Sequence, residues 1–121
     1  MNDHPLILLV EDDADLRECV EMLLVARDYA VESAANGQEA LDAIERNRPD
    51  LILLDMKMPV MNGWQFCRAL DARGGHPPPI VVVTAAHDPA GRAAEVHAQA
   101  WLGKPFELDD VESTVRRVLS L

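Results

Sequence analysis

A chain of 121 residues, 49% hydrophobic and 26% charged, has the size and composition of one domain, residues 1–121, with no room for a second. Its 11 basic against 21 acidic residues give a net charge of −10, which repels phosphate backbones and anionic lipid and argues against direct nucleic-acid or membrane binding. Cys19 and Cys67 lack a CxxC pattern or a neighbouring His, no basic-apolar leader opens the sequence, and no 18 apolar residues run together, so a cytoplasmic domain with free thiols is expected.

Leu6-Ile7-Leu8-Leu9-Val10 reads as a buried strand and ends in Glu11-Asp12-Asp13. Leu16, Val20, Leu23 and Leu24 then recur at helical spacing and predict a first helix, with Asp13 placed to cap it. Seven acids (Asp3, Glu11, Asp12, Asp13, Asp15, Glu18, Glu21) fall within the first 21 residues, a density suited to a cation or a basic partner surface. Ala30-Val31-Glu32-Ser33-Ala34 is a second strand. Asn36, with Glu39 three residues later, opens a helix that carries Ala40, Leu41 and Ile44 and stops before Pro49-Asp50.

The third apolar run, Leu51-Ile52-Leu53-Leu54, delivers Asp55 and then Met56-Lys57-Met58-Pro59. A turn from Pro59 to Gly63 leads into a helix with Phe66, Cys67 and Leu70 on one side and Trp64 partly exposed; Gly74-Gly75-His76-Pro77-Pro78-Pro79 breaks it. Ile80-Val81-Val82-Val83 ends in Thr84. Asp88-Pro89 pairs a cap with proline at the first helical position and opens the weakest helix, Ala-rich, interrupted by Gly91, with little to bury beyond Val96. Ala100-Trp101-Leu102 precedes Lys104-Pro105, and Leu108, Val111, Val115, Val118 and Leu119 form the last apolar stripe. Five alternating strand and helix pairs predict an α/β fold built on a parallel sheet.

In such a sheet, ligand sites lie at the carboxyl ends of the strands, so Glu11, Asp12, Asp55, Thr84 and Lys104 converge. Three carboxylates that close repel one another unless a cation sits among them. An oxygen donor set with open positions favours Mg²⁺, with Asp12 and Asp55 as direct ligands and Glu11 direct or through water. Beside such an ion, Asp55 becomes a nucleophile towards phosphorus, while the Thr84 hydroxyl and Lys104 ammonium cover the remaining phosphoryl charge. His4, His76, His87 and His97 show no metal-ligand spacing and are expected in solvent.

Four ordered motifs, Val10-Glu11-Asp12-Asp13, Asp55-Met56-Lys57-Met58-Pro59 with Asn62-Gly63, Thr84-Ala85 and Lys104-Pro105-Phe106, carry a resemblance over nearly the whole chain. The sequence resembles a two-component response-regulator receiver domain, of the kind typified by the chemotaxis regulator. That resemblance implies a five-stranded parallel sheet in a doubly wound (βα)5 flavodoxin-like three-layer sandwich. It implies that Asp55 accepts a phosphoryl group from a histidine kinase or phosphotransfer protein, that Mg²⁺ is held by Asp12, Asp55 and the backbone carbonyl of Lys57, and that Lys104 binds the phosphate. Thr84 then moves towards the phosphate and an aromatic, here Trp101, swings inward to repack the output surface. The domain is then a phosphoswitch in a phosphorelay, not an enzyme. It would be a monomer or weak dimer acting on a downstream protein or a fused output domain.

Trp101 departs from the more usual Tyr or Phe, and His97-Ala98-Gln99-Ala100 departs from the Gly-Ala that often precedes the fifth strand. Lys57 and Ala86, flanking the path of water to an acyl phosphate, are expected to tune its lifetime. Two rival readings share parts of the pattern. A haloacid-dehalogenase-like phosphatase also uses Asp, Thr, Lys and Mg²⁺, but resembles a pattern with the nucleophile on the first strand and an acid two residues on, where this chain has Lys57. A docking-only receiver would not need the five site positions intact.

Overall fold

The computed structural model describes residues 4–85 and 87–120. Strands and helices alternate: β1 (Leu6–Val10), α1 (Ala14–Ala26), β2 (Ala30–Ala34), α2 (Gly37–Arg46), β3 (Leu51–Asp55), α3 (Gly63–Ala72), β4 (Ile80–Thr84), α4 (Pro89–Glu95), β5 (Ala100–Gly103) and α5 (Leu108–Leu119). The strands form one parallel sheet in the order β2-β1-β3-β4-β5.

Side chains alternate across each strand, so the sheet builds two cores. Leu8, Val10, Ile52, Leu54, Ile80 and Val82 face Ala40 and Leu41 of α2, Phe66 and Leu70 of α3 and Ala93 of α4. Ile7, Leu9, Leu51, Leu53, Val81 and Val83 face Val20 and Leu24 of α1 and Val111 and Val115 of α5. With helices on both faces, the inner strands must be apolar at every position, which is why they read as continuous runs. Each fully buried Leu or Ile contributes about 1.5–3 kcal/mol of burial. The expected three-layer α/β sandwich is present.

Local chemistry sets the helix starts. Asp13 caps α1, accepting the N–H groups of Asp15 and Leu16 at 3.0 and 3.2 Å. Asn36 accepts the Glu39 N–H at 2.9 Å, but Glu39 reaches back to the N–H of Ala35, one residue before the cap. The reciprocal capping box forms at α3, between Asn62 and Gln65. The weakest helix is short: α4 has seven residues, of which Ala93 is buried, and Val96, expected to be buried by it, is its C-cap, half-buried, before His97 turns the chain at φ 58°.

His4, His76, His87 and His97 are exposed, Trp64 is half-buried, and Cys19 and Cys67 are free thiols. Burial pushes the Cys67 thiol up to about 12, with the Asp71 charge adding to it, so this sulfur stays protonated. No helix of the described residues is long and apolar enough to cross a membrane.

Phe66 is the largest fully buried side chain, wedged between α3 and the sheet. Phe66→Ala is expected to lower the unfolding free energy by about 3–5 kcal/mol, read from urea denaturation. A loss below about 1 kcal/mol would contradict this packing.

Candidate functional site

The strand order runs outward in both directions from β1 and β3, and this reversal opens a crevice at their carboxyl ends. Asp55 is the last residue of β3, carried into the crevice by a strand buried at all five positions. Glu11 and Asp12 follow β1, where the Glu11 N–H donates to the Ala34 carbonyl at 3.0 Å. One carboxylate oxygen of each of Glu11, Asp12 and Asp55 lies within 4.8 Å of the others. Glu11 and Asp55 are 4% and 5% exposed, whereas Asp12 is open to solvent.

Lys104 faces two of these acids, its Nζ 2.7 Å from Glu11 Oε1 and 3.4 Å from Asp55 Oδ2. Its backbone N–H donates to the Thr84 carbonyl at 2.8 Å, continuing the pairing of β4 with β5, and the following peptide bond to Pro105 is cis. Thr84 ends β4 and is buried. The Lys57 N–H donates to Asp55 Oδ1 at 3.3 Å. These residues, with Asp13 and Ala85, line an open cleft of about 290 Å³.

Glu11 is engaged at every oxygen. Oε1 takes the Lys104 ammonium, Oε2 accepts the Asp13 N–H at 3.2 Å, and the backbone carbonyl accepts Arg17 Nη1 at 2.7 Å. In this state Asp12 is the more open carboxylate and Glu11 is the partner of Lys104. Arg17 escaped the sequence reading. The available signal was a cation near the start of a helix, where the macrodipole disfavours it, after three consecutive acids.

Burial raises the Asp55 carboxyl to about 7, and the Glu11 charge and the hydrogen bonds with Glu11 and Asp12 add to it, outweighing Lys104, which pulls the other way. For Lys104, burial acts to lower the ammonium's pKa, but its contacts with Glu11 and Asp55 prevail and it stays above the ordinary value. Two buried carboxylates and one exposed one, all oxygen donors, with one ammonium among them, make a site suited to a hard divalent cation.

Met56 follows Asp55 in the chain. It is fully buried, and its carbonyl accepts the Gly63 N–H at 3.0 Å; a Cβ at Gly63 would lie 2.6 Å from Met56 Sδ and 2.8 Å from its Cα. Trp101 is not part of the cleft. It is 51% exposed at the β5 edge of the sheet, beside a groove it shares with Asp110, Ser113 and Arg117 of α5. Ala86 lies outside the described residues.

A family model described as "Response regulator receiver domain" matches residues 7–116. The response regulator MprA of Mycobacterium sp. (strain KMS) is 41% identical over 115 residues, 93% of this chain and 50% of that protein; MprA of Mycobacterium leprae (strain TN) is 39% identical over the same share. The chain thus spans about half the length of the curated relatives it matches. Among solved structures, chemotaxis protein CheY4 of Vibrio cholerae is similar at TM-score 0.86 and 34% identity, covering 95% of this chain and 98% of its own. The signal receiver domain of a signal transduction histidine kinase from Syntrophus aciditrophicus gives TM-score 0.83 and 34% identity, covering 96% and 90%.

An Asp55 carboxyl that titrates at about 7 in the folded protein and near 3.8 when unfolded binds its proton more tightly when folded. Its stabilising contribution is full below the unfolded value and is lost as pH rises through the folded one. In EDTA, Asp55→Asn is therefore expected to exceed the parent in stability by about 1–3 kcal/mol at pH ~8, the gap closing towards pH ~4. Thermal unfolding of both proteins across that range checks this, and equal stability at the alkaline end would contradict it.

Proposed function

The chain belongs to the response regulator receiver domain family, and from that premise we propose that Asp55 is its phosphoacceptor, charged by a phosphohistidine of a histidine kinase or phosphotransfer protein in the cytoplasm. The observation that carries this reading is a buried carboxylate at the tip of β3, 3.4 Å from a lysine and flanked by two further acids. A carboxylate so placed is poised to form a bond to phosphorus as the phosphorus–nitrogen bond of the donor breaks and the imidazole leaves with its electron pair.

Mg²⁺ held by Asp12, Asp55 and the Lys57 carbonyl, with Glu11 direct or through water, would neutralise the carboxylates and the phosphoryl oxygens. Lys104 then exchanges its contact with Glu11 for one with a phosphoryl oxygen, and the Thr84 hydroxyl donates to another. The Lys57 N–H fixes the carboxylate orientation. Phosphorylation shifts an existing equilibrium to the extent that one arrangement of Thr84 and Lys104 binds the phosphate better. Trp101, exposed at the edge beside a helix that buries Ala93, is the aromatic whose inward turn would report that shift. The receiver acts on itself alone, catalysing its own phosphorylation and dephosphorylation. Its output passes to a separate protein or to a fused domain, as the greater length of the relatives suggests.

An aspartyl-phosphate phosphatase is not favoured, because position 57 supplies an amine where that chemistry needs an acid. A docking-only receiver is not favoured either, because the acids, hydroxyl and lysine share one cleft.

Intact mass after incubation with acetyl phosphate and Mg²⁺ tests the reading. One added phosphoryl group is expected, absent with EDTA and in Asp55→Asn, and formed at least about tenfold more slowly in Lys104→Ala. An adduct that survives Asp55→Asn would overturn it. Replacing Lys57 is expected to change the rate of phosphoryl loss more than the rate of gain; equal effects on both steps would refute its role in setting the lifetime.

A further inference from the structure

The loop between β3 and α3 is held at three points, and one lies on a helix that contributes no group to the cleft. The Gly63 N–H to Met56 carbonyl bond closes its ends. Within it, the Met61 N–H donates to the Pro59 carbonyl at 2.7 Å, a three-residue turn that puts Val60 at φ 69°, where β-branched residues are outliers. Val60 is 81% exposed, so side-chain burial does not hold it there. Its neighbour Met61 is held instead: the side chain packs against the core, and the carbonyl accepts the N–H of Gly37, the first residue of α2, at 2.9 Å.

Gly37 is buried, and a Cβ there would lie 2.7 Å from Met61 Cγ and 2.9 Å from the Met61 carbonyl oxygen, so a side chain fits only if the loop moves. Asn36 and Glu39 fix the first turn of α2 through their own bonds, and Ala40 and Leu41 anchor the helix in the core. The helix is therefore the fixed partner and the loop the follower.

We propose that Gly37 is a positioning residue for the phosphoacceptor loop: its N–H and bare Cα let α2 hold the strained Val60 turn, and with it the Asp55–Lys57 segment, in the geometry that binds the cation. This rests on the reading of Asp55 and Lys57 given above.

The test measures Mg²⁺ affinity by calorimetry, the Mg²⁺ dependence of phosphorylation by acetyl phosphate, and thermal stability. Gly37→Ala is expected to remain folded, bind Mg²⁺ about tenfold more weakly and need correspondingly more Mg²⁺ for half-maximal phosphorylation. Gly75→Ala is the control for a merely structural effect, since Gly75 has a positive φ of 79°, which strains any side chain, but no atom near its missing Cβ. It should lose stability and keep the parent's Mg²⁺ affinity. Val60→Pro, which forbids the left-handed turn at an exposed position, should weaken Mg²⁺ binding as Gly37→Ala does.

Parent-like Mg²⁺ affinity in Gly37→Ala would overturn the proposal, and parent-like affinity in Val60→Pro would do so even if Gly37→Ala failed to fold. A parent protein that binds Mg²⁺ but takes up no phosphoryl group would instead overturn the phosphoacceptor reading, leaving the calorimetric comparison to decide the role of Gly37.

Discussion

Two carboxylates buried side by side, with one ammonium between them, are the constraint on which this molecule turns. Glu11 and Asp55 would separate if the chain were free to let them, because like charges in a poorly hydrated site repel strongly. They cannot separate, because each sits at the end of a strand whose apolar residues are locked between two helical layers. The sheet thus holds in place an arrangement that is unfavourable by itself, and that arrangement is suited to a hard divalent cation. Lys104 relieves part of the repulsion and stays close enough to both acids to transfer its contact.

Much of this was legible in the residues. Continuous apolar runs bounded by turn residues marked the strands of the parallel sheet, and the acids, threonine and lysine at their ends do share one cleft. The missing parts have physical reasons. The Gly37 to Met61 bond joins residues far apart in sequence, and the positive φ of Val60 contradicts its intrinsic preference, so neither leaves a local pattern. The pairing of Glu11 with Lys104 depends on which of two acids the ammonium reaches, a difference of 2.7 against 3.4 Å that no spacing rule contains. Trp101 lies at the sheet edge, and its exposure there follows from how little of that edge the short α4 covers.

Different contacts secure the two sides of the site. Around β1, β3, α2 and α3 the contacts are backbone hydrogen bonds, caps and glycines in close approach. Around α4 little side chain is buried: Asp88 caps the helix, Ala93 is its buried residue, and Glu95 takes the Trp64 indole N–H at 3.3 Å and the Arg92 guanidinium at 2.5 Å. A fold that ties its β3–α3 loop by hydrogen bonds and buries little of α4 is suited to turning a local charge change into a shift of surface, since low-stability elements move first.

Asp55 is electrostatically frustrated by Glu11 and by burial, a state that a cation would relieve. Its carboxyl carbon, followed by nuclear magnetic resonance through a pH titration with and without Mg²⁺, reads this directly. Titration at about 7 is expected in the metal-free protein, with a fall of at least about two pH units when Mg²⁺ is bound. Titration near 3.8 in the metal-free protein, unmoved by Mg²⁺, would contradict it.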